Sequence, residues 1–329
     1  MRPIVWLCAA GLFIGSLCTS AGAFAESSGR LAHVCLITFD PATPGKNRYT
    51  PFFDRLQALG YIEGKTLALD WLSANGDGDA FPALAAECLR RKSDVIVTGT
   101  TPATQAVKKA TATVPIVMLA LGDPVGTGLV DSLARPGGNV TGTTELAPLM
   151  VAKSLELLKL AIPGMARVLV ITYPQDPISH GQIESLQRAA QALGVELFVQ
   201  NVVGPEDFAT AFAAGEKAGA QAVLVTVESM LVVHRKDLVE LARHYKLPLV
   251  SSEELFVKAG GLLSYDANRD TLAARTADYV DMVLNGTRPA RLPVEQPSTF
   301  ILAVNTGTAH ALDITLPSGI LANADKVFE

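Results

Sequence analysis

The sequence is poor in the residue patterns that catalysis needs. Its 329 residues hold five histidines, scattered at positions 33, 180, 234, 244 and 310. No HExxH pair places two metal ligands on one helix face, and no G-x-S-x-G string builds a nucleophile elbow. No Gly-Lys-Ser/Thr follows the strand-ending loop Val97–Thr104, so that loop is not a Walker A phosphate cradle. Gly126-Thr127-Gly128 lacks the third glycine of a dinucleotide fingerprint and does not directly follow a strand. Basic residues are also in deficit, 27 against 32 acidic ones for a net charge of −5. That balance argues against a nucleic-acid partner and against an anionic membrane surface. The four cysteines fall in no CxxC or metal-ligand spacing. The expectation is a protein with no catalytic residues, no metal site and no cofactor.

Long hydrophobic runs are missing except at the start. Arg2 precedes an apolar stretch from Ile4 to Leu17, and small residues then lead to Ala23-Phe24-Ala25. One positive charge, a short apolar segment and an A-x-A site form the layout of a secretory signal, and the run is too short to span a bilayer comfortably. Residues 1–25 are therefore expected to be a cleaved signal peptide, with the mature chain exported from Glu26 onward. Cys8 and Cys18 each follow a leucine, where a lipoprotein signal wants a small residue. Removing the signal leaves 26 basic and 32 acidic residues, a charge of −6. Of the cysteines only Cys35, in a strand pattern, and Cys88, in a helix pattern, remain. Both suit small buried residues, and an oxidising compartment also permits a bridge between them.

What is present is a regular alternation. Short apolar runs at Ala32–Phe39, Thr66–Trp71, Val95–Thr98 and Ile116–Leu121 read as strands. Helical patterns at Pro51–Leu59, Phe81–Arg91 and Thr101–Ala112 separate them. The alternation resumes with strands Val168–Thr172, Glu196–Asn201, Ala222–Val227 and Leu249–Ser252 and helices Gly181–Leu193, Phe208–Ala218 and Val232–Tyr245. Such alternation predicts βαβ units and parallel sheets covered on both faces. A turn-rich stretch at Arg135–Asn139 and a helix near Met150–Leu160 interrupt it, placing a lobe boundary near residues 144–148. A long helix, Thr271–Leu284, then a proline-rich passage from Arg288 to Pro297, lead to a strand at Phe300–Val304. The fold class expected is α/β, with two doubly wound parallel-sheet lobes around a hinged cleft. Lobe 1 takes residues 26–146 and 266–296, and lobe 2 takes 147–265 and 297–329.

Ligands of parallel α/β sheets bind beyond the carboxyl ends of the strands. The loop Val97–Thr104 is the most informative of these, because a strand ends, Gly99, Thr100 and Thr101 follow, and Pro102 opens a helix. Backbone N–H groups, the helix dipole and two hydroxyls there suit an anion such as a carboxylate, or else the threonines only cap their own helix. Asp123 follows the next strand, where it holds an ammonium group or forms the turn before Pro124. Phe39 and Asp40 follow the first strand as a ring wall and a polar contact. In the second half Tyr173 offers an aromatic face and a hydroxyl, and Glu228 a counter-charge for an amine, or else each is a solvated loop residue.

Longer strings carry a resemblance. Gly60–Lys65, Gly122–Val130 running on to Ala134–Gly142, Gly260–Tyr265 and Leu292–Pro297 together resemble the ABC-transporter substrate-binding protein family that includes tryptophan- and tyrosine-associated periplasmic receptors. The resemblance covers the mature chain in order. It implies a type-I, leucine-binding-like periplasmic binding protein, commonly a monomer, that closes on a small molecule and docks on a membrane permease. The resemblance, taken with the loops, implies that Thr100 and Thr101 bind a carboxylate and that Asp123 or Glu228 pairs with an amine. Phe39, Tyr173 or Tyr265 then supplies a stacking wall. One departure stands out: Asp266 follows Tyr265 where the family usually has glycine, an extra carboxylate near the hinge or cleft that bears on ligand preference. A sensor receptor for a membrane kinase or chemoreceptor, and an exported enzyme on the same scaffold, are the alternative classes.

Overall fold

The computed structural model describes residues 31–42 and 47–329. The expected signal peptide lies outside the described residues. The first sheet is built from β1 (Ala32–Thr38), β2 (Leu67–Ser73), β3 (Val95–Thr98), β4 (Ile116–Leu121) and β5 (Val140–Thr144). Its strand order is β2-β1-β3-β4-β5, all parallel. Helices α1 (Thr50–Ala58), α2 (Phe81–Arg90) and α3 (Thr101–Ala110) make the crossovers. Their patterns are legible because each buries one apolar stripe, such as Phe52 and Leu56 in α1 or Phe81, Ala85 and Cys88 in α2.

The second lobe opens with α4 (Ala147–Ala161), then β6 (Arg167–Thr172), α5 (Ile178–Leu193), β7 (Glu196–Asn201), α6 (Phe208–Lys217) and β8 (Ala222–Val225). The expected helix at Val232–Tyr245 is two, α7 (Ser229–Val233) and α8 (Arg235–His244), which meet at His234. Then come β9 (Leu249–Ser251), α9 (Glu254–Lys258) and β10 (Leu263–Ala267). The chain returns to the first lobe as α10 (Arg269–Leu284), which packs on α1 and against β3, β4 and β5. It ends in the second lobe with β11 (Phe300–Asn305), α11 (Thr306–Ala311), α12 (Ser318–Ala322) and β12 (Lys326–Phe328). The second sheet runs β12-β11-β10-β9-β8-β6-β7, and only the β10–β11 pair is antiparallel.

Three segments cross between the sheets, around residues 145–146, at Asn268 and at residues 296–299. Strand β10 continues through Asp266 to Ala267, so Asp266 belongs to the second sheet. The latter two crossings are tied together, Asn268 donating its N–H to the Thr299 carbonyl at 2.9 Å. Glu295 joins the edge of β5 before the last crossing, its N–H bonded to the Gly142 carbonyl at 2.9 Å. A Cys35–Cys88 disulfide, with 5.9 Å between Cα atoms, ties β1 to α2 inside the first core. Among the described residues no helix is long and apolar enough to cross a membrane.

Candidate functional site

The carboxyl ends of the strands of both sheets converge on a cleft that holds two adjoining chambers. The polar chamber has a cavity volume of about 40 Å³. Lobe 1 supplies Asp40 after β1, Thr100 and Thr101 after β3, and Ala120–Gly122 at the end of β4. Lobe 2 supplies Asp176 after β6, Ser229 after β8 and Glu253 after β9. The aromatic chamber, about 130 Å³, lies between Phe39, Phe81 and Pro102 of lobe 1 and Tyr173 and Met230 of lobe 2. Phe39, Thr100, Asp176 and Ser229 line both.

Local geometry presents these groups. Thr100 is the N-cap of α3, its Oγ1 accepting the Ala103 N–H at 3.3 Å, and the hydroxyl proton stays available to a ligand. Thr104 braces the loop by donating to the Thr100 carbonyl at 2.8 Å and meeting Thr98 Oγ1 at 2.7 Å. The buried Thr101 hydroxyl makes no hydrogen bond among the described residues. Strand β4 carries an irregularity between Met118 and Leu121, where Ala120 has a φ of 52°. A left-handed alanine costs about 1 kcal/mol or more, and such strain concentrates at ligand sites. Its N–H is held by Thr143 Oγ1 at 2.9 Å, which turns Leu121 and Gly122 toward the cleft. Gly122 is required by close approach: a Cβ there would overlap Ile178 Cδ1 of the other lobe.

The floor of the polar chamber is a buried ion network between the lobes. Arg269 places Nε 3.2 Å from Glu253 Oε2 and 3.1 Å from Asp266 Oδ2. Its Nη2 lies 2.5 Å from Glu145 Oε2, an oxygen that gains ion-pair proximity without hydrogen-bond alignment. Arg48 reaches Glu253 at 3.5 Å and Asp40 at 3.7 Å. Four carboxylates therefore share two guanidinium groups. Burial pushes the Asp266 carboxyl well up, with Arg269 opposing, and raises Glu145 in the same way. Burial also acts to raise Glu253, but Arg269 and Arg48 outweigh it and hold that carboxyl below its ordinary range.

Among the described residues the lobe 2 wall has no such cations. Asp176 is 5 % exposed, and its Oδ1 accepts one N–H, from Ile178 at 3.2 Å. Burial lifts its carboxyl to about 7, with the Ile178 N–H opposing.

Of the residues read from the sequence, Phe39, Asp40, Thr100, Thr101 and Tyr173 line the chambers. Three do not. Asp123 closes its own turn, Oδ1 accepting the Gly126 N–H at 2.8 Å. Glu228 lies behind the wall at 1 % exposure, accepting from Thr226, Gln182 and Thr172. Burial raises it to about 8, against the Thr226 hydrogen bond. Tyr265 stacks on Phe300, with ring centroids 5.6 Å apart, on the second sheet. Asp266 sits beneath Arg269, outside the polar chamber. Asp176, Arg48, Glu145, Glu253 and Arg269 were not singled out from the sequence. Asp176, Glu145 and Glu253 follow strand ends by the same rule that picked out Asp40, whereas Arg48 carries no such signal.

Two lobes whose strand ends face each other across an internal cleft define a two-lobed ligand-binding protein. The chain belongs to the ABC transporter substrate-binding protein family, whose model matches residues 44–328. It is a substrate-binding protein and not an enzyme. A tyrosine-binding protein of Clostridioides difficile (strain R20291) is 30% identical over 264 residues, which are 80% of this chain and 75% of that one. The structure of an ABC domain from Streptococcus pneumonia in complex with L-Trp is similar at a TM-score of 0.85 and 26% identity, over 91% of this chain and 100% of that one. The likeness extends, as fold alone, to a leucine-binding protein of Thermotoga maritima, with a TM-score of 0.56, 17% identity, and coverage of 80% and 79%.

Proposed function

We propose that this protein is the exported, periplasmic receptor of an ABC importer, capturing an aromatic amino acid by lobe closure and delivering it to an inner-membrane permease. The ligand carboxylate is received by the Thr100 and Thr101 hydroxyls and the first turn of α3, whose dipole favours an anion. The ligand ammonium pairs with Asp176, in place of the Asp123 or Glu228 expected from the sequence. The ring enters the aromatic chamber. A small polar space beside a larger aromatic one is the observation that carries this reading, because an amino acid has that division. The ligands named for the tyrosine-binding relative and the L-Trp complex support it. A ligand touching both lobes favours the closed arrangement, so capture is a population shift.

The test is a thermal melt of protein unfolded and refolded to strip bound ligand, run against amino acids, carboxylates, sugars and purines. At a hundredfold over Kd a true ligand stabilises by about 2.7 kcal/mol. A shift confined to amino acids with aromatic side chains is expected. A shift with sugars or purines alone overturns the reading.

A further inference from the structure

The aromatic chamber has a feature that holding a plain hydrocarbon ring does not require. At about 130 Å³ it approaches the ~150 Å³ apolar cavity known to take up benzene, so it accommodates roughly one ring. Phe39 and Phe81 meet at 6.2 Å between centroids and form one wall. On the side that the polar chamber does not share, the lining changes to Asp79, Gln175 and the Tyr173 hydroxyl. Asp79 stands on a short turn before α2, and its N–H is held by Asp77 Oδ1 at 3.0 Å. Its carboxylate makes no hydrogen bond or ion pair among the described residues. Tyr173 has already spent its proton on Gln175 Oε1, at 2.6 Å. Asp79 comes from lobe 1 and Tyr173 from lobe 2, yet they lie close enough that Asp79, after burial and Asp176, helps raise the Tyr173 hydroxyl. That edge therefore offers two acceptors, a free carboxylate and a phenolic oxygen whose proton is used, beside the Gln175 amide, whose oxygen is engaged and whose N–H groups can donate.

We propose that Asp79 is a specificity-determining residue, and that the chamber selects aromatic amino acids whose ring ends in a hydrogen-bond donor, a phenol or an indole N–H, over those with a bare phenyl ring. This rests on the reading of the site as one for an aromatic amino acid. A phenol or indole satisfies the Asp79 carboxylate on closure. Asp79 is exposed at the rim of the chamber, so a bare phenyl ring leaves its carboxylate to water and makes no hydrogen bond there, and the preference is the worth of one hydrogen bond to a charged group. Asp79 belongs to none of the three hydrophobic core clusters and forms no cap with its side chain, so its replacement leaves the fold in place.

The experiment is calorimetric titration of the stripped protein and of Asp79→Ala with L-tyrosine, L-tryptophan, L-phenylalanine and O-methyl-L-tyrosine. The last keeps the tyrosine oxygen and removes its proton. The unaltered protein is expected to bind tyrosine and tryptophan about tenfold or more tighter than phenylalanine and O-methyltyrosine. In Asp79→Ala that gap shrinks to about twofold, with phenylalanine affinity kept or improved. Equal affinities for all four in the unaltered protein, or a uniform loss in Asp79→Ala, overturn the role of Asp79 and leave the amino-acid reading standing. Failure of all four to bind overturns the amino-acid reading, and this inference with it.

Discussion

Two sets of carboxylates, all buried except the half-buried Asp40, border the same cleft and are neutralised in opposite ways. At the floor, Glu253, Glu145, Asp266 and Asp40 are gathered around Arg48 and Arg269, two lobe 1 cations that reach Glu253 and Asp266 of lobe 2. On the lobe 2 wall, Asp176 and Glu228 have N–H and O–H donors and no cation as hydrogen-bond partners among the described residues. The floor solves a desolvation problem with cations built into the chain. The wall leaves it to protons, because burial raises both carboxyls into the neutral range. The difference teaches a division of labour. The floor joins the lobes, whereas Asp176 in the proposed reading awaits a ligand ammonium to draw out its charge.

The largest effect expected is at the floor. Arg269→Met removes the shared cation and leaves Glu145, Glu253 and Asp266 short of a partner, which costs about 3–5 kcal/mol in a urea unfolding curve. A loss under about 1 kcal/mol would mean that the network is solvated and breaks the contrast with the wall. Next comes Gly122→Val, which overpacks the space that Ile178 fills across the cleft. Overpacking costs about 1–3 kcal/mol. The cost falls on the closed form, so ligand affinity drops by a factor of about 5 to 150 while the ligand-free melting point holds.

The wall is tested by pH. Folded Asp176 and Glu228 hold protons up to about 7 and about 8, which the unfolded chain releases near 4. The folded state therefore binds more protons between about pH 4 and pH 8, and ligand-free stability falls as pH rises through that window. Raised Asp266 and Glu145 act in the same direction, while Glu253, held low, contributes stability that is lost as pH falls below its unfolded range. Asp176→Asn flattens the decline between pH 5 and 8 in urea curves, and an unchanged slope would remove Asp176 from the account. The smallest effect is at the anion loop. Thr100→Ala with Thr101→Ala weakens binding of the ligand found in the melting screen about tenfold by calorimetry. Unchanged affinity would move the carboxylate elsewhere.

Legibility in the sequence follows the same physics. Strands such as Val95–Thr98 and Ile116–Leu121 are buried on both faces and read as apolar runs. Strand β5 is Val-Thr-Gly-Thr-Thr, and its buried hydroxyls bond to Leu292 O, Thr276 and Leu121 O, so no apolar run announces it. Helices α7 and α8 read as one because the break at His234 leaves the apolar spacing intact. At the site, Phe39, Asp40, Thr100, Thr101 and Tyr173 were legible because they directly follow strand ends. Asp123 and Glu228 follow strand ends too, and only three-dimensional packing shows that one closes its own turn and the other lies behind the wall. Arg48 and Arg269 are 221 positions apart, and nothing local links them to a shared floor.

The proposed pairing of a ligand ammonium with Asp176 is open to one direct measurement. Calorimetry of the stripped protein and of Asp176→Asn would compare L-tyrosine with 3-(4-hydroxyphenyl)propionate, which keeps ring and carboxylate and lacks the amine. The unaltered protein is predicted to prefer tyrosine by a factor of about 10 to 100, the worth of a hydrogen bond to a charged group, and Asp176→Asn to lose most of that preference. The same preference in both proteins would contradict the pairing and the contrast between floor and wall built on it.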